Sequence, residues 1–121
     1  MDTEKRRYQR YSIWFPVTID DHGREVWGLC RDASSAGVLI SSIARLEVGT
    51  EVRARFRVAP NSAPERTLDA TVVRSDQSRD ELILAFPYRI ALQFRTPVPE
   101  LVDELAMHAD KTESPDSVKL G

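Results

Sequence analysis

The sequence predicts a mainly β protein: a small antiparallel barrel of six or seven strands with one C-terminal α-helix. Several short segments alternate apolar and polar residues with the period of two that a half-buried strand requires, and turn residues separate them. One segment near the C-terminus instead has the spacing of an amphipathic helix. Closing a sheet of this size removes its exposed edges, so we expect a barrel.

The length of 121 residues allows one domain of this kind and no second. We assign residues 12–108 to the barrel with its helix. Residues 1–11 are dense in charge and hold too little apolar surface to fold, so we expect a flexible N-terminal arm. Residues 109–121 are polar, and we expect a disordered tail.

The first two predicted strands form a hairpin. Every second residue from Ile13 to Ile19 is apolar, which predicts a strand with one buried face. Pro16 interrupts this strand and cannot donate a hydrogen bond, so we expect an edge or a bulge there. Residues 20–23, Asp-Asp-His-Gly, are typical of a hairpin turn. The second strand, residues 25–32, then runs antiparallel to the first.

Three more strands are predicted between residues 38 and 72. A turn of small residues, 32–37, leads into a strand at residues 38–41. Residues 51–58 alternate most clearly, with one apolar face and one face of glutamate and arginine. Alternation resumes at residues 68–72 and stops at a polar turn, residues 75–81.

The sequence leaves the number of strands in the last part of the barrel open. Residues 82–86 and 88–94 form one long strand or two, because Pro87 interrupts the alternation. A helix follows across one end of the sheet, with an apolar stripe at the spacing of a helical face. This stripe consists of Val98, Leu101, Val102 and Leu105.

Composition excludes several classes of function. The net charge of -2 provides no general attraction to duplex nucleic acid. No apolar run approaches the twenty residues that span a bilayer, so we expect a cytoplasmic protein without membrane insertion. One cysteine, Cys30, cannot form an internal disulfide, and His22 and His108 are too few for an ordinary zinc site. We therefore expect no metal and no cofactor.

No catalytic constellation is evident, and we do not expect an enzyme. His22 falls in a predicted turn and His108 near a helix end, where a histidine is usually solvated. Asp20 and Asp21 suit turn formation better than paired acid–base chemistry. No catalytic residue is assigned.

The N-terminal arm could bind an anion. If it is extended, Arg6, Tyr8 and Arg10 fall on one side, which places two guanidinium groups and an aromatic ring toward a common ligand. A guanidinium group binds phosphate through two hydrogen bonds and also pairs with the O6 and N7 atoms of guanine. By itself, however, an arginine-rich arm is usually a solvated tail.

The turn at residues 32–37, Asp-Ala-Ser-Ser-Ala-Gly, has complementary chemistry. The carboxylate of Asp32 only accepts hydrogen bonds, which suits the N1–H and N2–H donors of guanine. Ser34 supplies a hydroxyl group, and Gly37 lets a ligand approach the backbone. The arm and the turn together favour a guanine nucleotide with phosphates.

These two segments, in this order, resemble the PilZ domain family, bacterial receptors for cyclic di-GMP. Residues 6–10 match its Arg-x-x-x-Arg motif, and residues 32–37 match its Asp/Asn-x-Ser-x-x-Gly motif without a departure. The resemblance covers residues 4–108, with Ala91 at a position where the family usually has glycine. The implied ligand-binding residues are Arg6, Arg7, Arg10, Asp32, Ser34 and Gly37, with Lys5, Tyr8 and Ser35 in support.

The resemblance implies a module that binds one or two molecules of cyclic di-GMP in bacterial second-messenger signalling. We expect binding to order the arm against the barrel and to pass the signal to an effector protein. Motility, pili and exopolysaccharide production are outputs of the family. The chain is expected to be a monomer or a homodimer.

Two alternatives stay open. A PilZ-like domain can act as a protein adaptor without binding nucleotide, although such members usually lack the motifs that are intact here. A small β-barrel can also bind single-stranded nucleic acid by stacking bases on aromatic residues along a basic groove. Tyr8, Tyr11 and the arginines of the strands match that pattern only in part, so we do not expect nucleic acid binding.

Overall fold

The computed structural model describes residues 8–77 and 85–109. Its elements are β1 (Tyr11–Asp21), β2 (Arg24–Ala33), β3 (Gly37–Ser42), β4 (Glu51–Phe56), β5 (Arg66–Gln77), β6 (Tyr88–Phe94) and α1 (Glu100–His108). The strands form a closed antiparallel barrel in the order β1-β2-β3-β6-β5-β4, and β4 pairs back with β1. The predicted fold class is confirmed, with six strands.

The barrel interior is filled by the apolar face of each strand. Along β1, Ile13, Phe15, Val17 and Ile19 are all buried, as the alternation predicts. Phenylalanine rings from three strands stack across the interior, with centroids 5.2 Å apart for Phe15 and Phe56 and 6.4 Å apart for Phe56 and Phe94. This apolar stacking holds opposite walls of the barrel together.

The predicted hairpin turn connects β1 to β2. His22 and Gly23 both have positive φ angles, 54° and 94°, as a two-residue hairpin turn with matching twist requires. The Gly23 N–H donates to Oδ1 of Asp20 at 2.9 Å. The two aspartates of this segment therefore belong to the turn and its flanking strand, as the sequence indicates.

Strand boundaries differ from the prediction by one or more residues, including those of β1, β5 and β6. β1 begins at Tyr11, two residues before the predicted alternation starts at Ile13 and within the range assigned to the arm. β5 continues to Gln77, because residues 75–77 still pair with β6 where we predict a polar turn. β6 begins directly after Pro87, and Ala85 to Pro87 are outside any strand. The predicted strand residues 82–84 lie outside the described part of the chain.

Pro16 is placed as the sequence predicts. It pairs with Leu29 of β2 and lies one residue beyond Val17, where the pairing of β1 with β4 ends. A register irregularity between Ser12 and Phe15 adjoins it. A residue without an N–H group is tolerated here, because only one neighbouring strand is paired at this point.

The helix covers one end of the barrel with a narrower face than predicted. Leu101 and Leu105 are buried and Val98 packs against the core, whereas Val102 is exposed. Glu104 of α1 accepts hydrogen bonds from Arg66 of β5, which fixes the helix against the sheet. Among the described residues, no helix is long and apolar enough to cross a membrane.

Candidate ligand-binding cleft

A cleft of about 240 Å³ lies on the outer surface of the barrel, where Tyr8 and Arg10 approach the turn at residues 32–37. Its walls and floor come from the chain before β1, the end of β2, the following turn, and strands β3, β5 and β6. The lining residues are Tyr8, Arg10, Asp32, Ala33, Ser34, Ala36, Gly37, Val38, Leu39, Val73, Arg74, Ala91, Leu92 and Gln93.

The turn between β2 and β3 is held by its own hydrogen bonds. The Ser34 N–H donates to the Gly37 carbonyl at 2.9 Å, and the Ala36 N–H donates to the Ser34 hydroxyl oxygen at 3.0 Å. This side-chain contact is typical of serine in tight turns. Because the Ser34 hydroxyl oxygen accepts a hydrogen bond within the turn, its O–H group is available to donate a hydrogen bond to a ligand.

Two further hydrogen bonds attach this turn to the rest of the barrel. The Phe94 N–H donates to the Ala36 carbonyl at 2.8 Å, and the Val98 N–H donates to the Ser35 carbonyl at 2.7 Å. Phe94 ends β6, and Val98 precedes α1. The turn is therefore anchored to two elements that are distant in sequence.

Gly37 is required by the packing of the sheet. A Cβ atom at this position would lie 2.2 Å from the Leu92 carbonyl oxygen of β6, which is far inside van der Waals contact. Its φ angle is not in the left-handed region. The sequence motif thus contains a glycine because β3 and β6 approach closely, and the same small residue lines the cleft.

Arg10 and Asp32 form an open ion pair at the mouth of the cleft. Nη1 of Arg10 lies 3.8 Å from Oδ2 of Asp32, and the Arg10 side chain is 76% exposed. Asp32 is half-buried beside a register irregularity of β2. Burial raises the pKa of the Asp32 carboxyl, and the nearby Arg10 charge partly opposes this shift. Both groups can therefore exchange this weak contact for a ligand.

The predicted site residues have different outcomes. Five of them, Tyr8, Arg10, Asp32, Ser34 and Gly37, line the same cleft. Ser35 is buried beside the cleft and does not line it. Lys5, Arg6 and Arg7 lie outside the described residues. The assignment of all nine as ligand-binding residues stays a prediction.

The sequence prediction missed the far side of the cleft. Leu39, Val73, Arg74 and Gln93 line it and belong to β3, β5 and β6. A signal was present at β5: strict alternation from Ala70 and Val72 would direct Arg74 into the barrel. An arginine at an interior position indicates a bulge that turns it outward.

Cys30 lies near the cleft but inside the barrel. Its side chain is fully buried, and its thiol contacts the Asp32 carbonyl oxygen at 3.5 Å. Burial raises the pKa of the Cys30 thiol, so it stays protonated and unreactive. Within residues 8–77 and 85–109, no three histidine, cysteine or acidic side chains group as a metal site would require.

Solved structures that share this fold include those of three other proteins. The inhibitor of motility MotI/DgrA from Bacillus subtilis has a TM-score of 0.62 at 17% sequence identity. The match covers 84% of this chain and 47% of MotI, so the chain spans about half of that protein.

The PilZ domain of YcgR from Escherichia coli, solved with c-di-GMP, has a TM-score of 0.64 at 15% identity, over 84% of this chain and 86% of that one. The PilZ domain of CeSA from a cellulose-synthesizing bacterium has a TM-score of 0.54 at 18% identity, over 81% and 91%. At these identities the likeness concerns the fold.

No curated protein matches the sequence. A comparison with protein families, however, matches residues 4–108 to the PilZ domain. This match includes both motifs, the whole barrel and the helix. The chain belongs to the PilZ domain family.

Proposed function

We propose that the chain is a receptor module for cyclic di-GMP and not an enzyme. The observation that carries this proposal is the convergence of Arg10 with Asp32, Ser34 and Gly37 on one cleft of a PilZ domain. The PilZ domain of YcgR, solved with c-di-GMP, supports the choice of ligand. The module binds its ligand and releases it unchanged.

The chemistry of the cleft suits a guanine base and a phosphate. The Asp32 carboxylate accepts the N1–H and N2–H hydrogens of guanine, and the Ser34 hydroxyl donates to a further acceptor. The Arg10 guanidinium leaves its loose contact with Asp32 and binds phosphate or the O6 and N7 edge of the base. Each charge-assisted contact contributes about 1.5 to 3 kcal/mol.

The arm completes the site in this proposal. Arg6 and Arg7 belong to the same motif as Arg10, and their role rests on the sequence because they lie outside the described residues. We propose that the ligand bridges the arm and the turn, so that binding orders the arm against the barrel. Such a change alters the surface that an effector protein meets.

Two exposed tryptophan side chains support the existence of an effector protein. Trp14 is 51% and Trp27 is 60% exposed, on neighbouring strands β1 and β2. The guanidinium group of Arg31, the residue before Asp32, lies 5.1 Å from the centre of the Trp14 ring. Tryptophan and arginine are enriched among the residues that dominate protein interfaces.

As a receptor for an intracellular nucleotide, the protein acts in the cytoplasm.

Isothermal titration of the full chain with cyclic di-GMP tests the ligand. We expect a dissociation constant in the micromolar range or tighter, which corresponds to about 8 kcal/mol. Cyclic di-AMP is the matched control, because its base lacks the N1–H and N2–H donors. No heat at tens of micromolar cyclic di-GMP would overturn the proposal in favour of a nucleotide-independent adaptor.

A second titration addresses the nucleic acid alternative. Single-stranded oligonucleotides are added to the same protein at several salt concentrations. Binding that falls steeply with salt and needs no cyclic di-GMP would favour a nucleic acid function.

Recovery of intact cyclic di-GMP after prolonged incubation is expected for a module that performs no chemistry on its ligand.

A further inference from the structure

Strand β5 has an irregularity at the edge of the cleft. Val72 pairs with Leu92 and Arg74 pairs with Ala91, so Val73 is an extra residue relative to β6. Val72 is fully buried, Val73 is 47% exposed, and the Arg74 side chain is 60% exposed. Two consecutive residues thus point outward, as a β-bulge allows. Without the bulge, Arg74 would fall on the interior face.

The bulge places Arg74 on the cleft wall opposite Arg10. Arg10 contacts Asp32 at the end of β2, and Arg74 belongs to β5, while β3 and β6 form the floor between them. Three spacings between neighbouring strands separate β2 from β5, roughly 14 Å at about 4.8 Å each. The floor includes the small residues Gly37 and Ala91. A ligand resting there meets a guanidinium group at each end.

The partner of Arg74 is local and weak. Its Nε donates to Oδ2 of Asp76 at 2.8 Å, two residues along the same strand, and the Asp76 side chain is 54% exposed. Exposed ion pairs of this kind contribute little, because water solvates both charges well. An anionic ligand can therefore take the place of Asp76 without a large loss.

We propose that Arg74 is a further ligand-binding residue, which contacts one phosphate of a bound cyclic dinucleotide while Arg10 serves the opposite end. This inference rests on the proposed function. A cyclic dinucleotide carries two phosphates on opposite sides of its ring. Arg10 and Arg74, on opposite walls of a cleft whose floor has small residues, match this arrangement of negative charge. Val73 and Leu39 supply apolar surface beside the phosphate contact.

The test is titration of Arg74→Ala with cyclic di-GMP. We expect binding about tenfold weaker than in the native chain, since one charge-assisted contact is lost. The affinity of this variant should also fall less steeply with salt. Arg74→Lys should retain most of the affinity, because a phosphate contact needs a positive charge more than a planar fork.

Arg53→Ala is the matched control. Arg53 is also an exposed arginine on a strand, 61% exposed and 3.3 Å from its partner Asp69, but it belongs to β4 and does not line the cleft. We expect native affinity for this variant. Equal weakening by Arg53→Ala and Arg74→Ala would show a general charge effect and would overturn the inference.

The remaining outcomes separate the two proposals. Native affinity in Arg74→Ala, with binding by the native chain intact, rejects the role of Arg74 and leaves the proposed function in place. An equal loss in Arg74→Lys and Arg74→Ala rejects the phosphate contact. Absence of binding by the native chain overturns both proposals. Unchanged circular dichroism and melting temperature of each variant show that the fold is retained.

Discussion

Two arginine–carboxylate pairs of this protein differ in what they can do. At the cleft, Arg10 and Asp32 are 3.8 Å apart, and the arginine is 76% exposed. Between β5 and α1, Arg66 and Glu104 are joined by two hydrogen bonds, and their side chains are only 20% and 18% exposed. The hydrogen bonds with Glu104 raise the pKa of Arg66.

The difference lies in geometry and burial, since the charged groups are of the same kinds. A bidentate, partly buried pair is strong and fixes the orientation of both side chains. Removing either partner leaves the other charge with poor solvation. An exposed pair beyond hydrogen-bond distance has neither property. The Arg66–Glu104 pair therefore holds the helix on the barrel, and the Arg10–Asp32 pair is available to a ligand.

The largest expected effect concerns the open pair. Arg10→Ala should weaken cyclic di-GMP binding by about a hundredfold, ~2.7 kcal/mol, because a charged contact to the ligand is lost. The melting temperature should stay unchanged. Titration calorimetry and thermal melts measure the two quantities. Arg24→Ala is the control, since Arg24 is an exposed arginine 3.4 Å from Asp21 at the far hairpin; a similar loss there would contradict the comparison.

The closed pair should show the reverse pattern. Arg66→Ala should lower the free energy of unfolding by about 2 kcal/mol, because Glu104 keeps its charge in a partly buried position. This corresponds to a melting temperature roughly 10 °C lower for a domain of this size. The affinity of the folded variant for cyclic di-GMP should be native. Weaker binding with unchanged stability would reverse the roles of the two pairs.

A smaller effect is expected from pH. The Asp32 carboxyl must be ionised to accept two guanine donors, and its pKa is raised above the ordinary 3.8 by burial. Affinity should therefore decrease several-fold as the pH falls toward that raised pKa. Titrations between pH 7.5 and about 4.5 measure the decrease. Asp32→Asn, which cannot ionise, should remove this part of the pH dependence.

The same group has the opposite effect on stability without ligand. Because the pKa of Asp32 is raised in the folded protein, the folded state binds the proton more tightly than the unfolded state does. Its contribution to the free energy of unfolding therefore increases as the pH falls through that range. The difference in stability between the native chain and Asp32→Asn isolates this contribution from those of the other carboxyl groups. A contribution that decreased toward low pH would contradict the assigned shift.

The smallest effect is expected at an ion pair whose two side chains are both largely exposed. Arg95 and Glu51 are 3.0 Å apart, yet their side chains are 64% and 68% exposed. Glu51→Gln should change the free energy of unfolding by less than about 0.5 kcal/mol. Chemical denaturation measures this change. A loss as large as that of Arg66→Ala would show that burial is not what distinguishes the pairs.

Strand identity was predictable because it depends on each strand's own sequence. Alternation in β1 and β4 marks the inner face directly, and the observed burial agrees with it. The bulge in β5 was not predictable to the same degree, because it is defined by the register of its pairing with another strand, β6. The exposure of Val102 likewise depends on how the helix rests on the barrel.

The cleft also has one part that the sequence predicts and one part that depends on strand pairing. Its first wall comes from two short motifs, each recognisable from residue types and spacing, and Arg10 and Asp32 do meet there. Its second wall comes from β5, which reaches the motif side of the cleft through β6 and the pairing of β6 with the non-consecutive strand β3. The alternation around Arg74 indicates a bulge, but it does not show that the bulge turns this arginine toward the cleft. The motif predicts the ligand class, and the barrel topology supplies the rest.

The anchoring of the turn by Phe94 and Val98 has a consequence for the evolution of affinity. Because the N–H groups of these residues hold the carbonyls of Ala36 and Ser35, the turn is already in place before a ligand arrives. Its rigidity then depends on where β6 ends and α1 begins. Substitutions at that junction can adjust the lifetime of the complex without altering any residue that contacts the nucleotide.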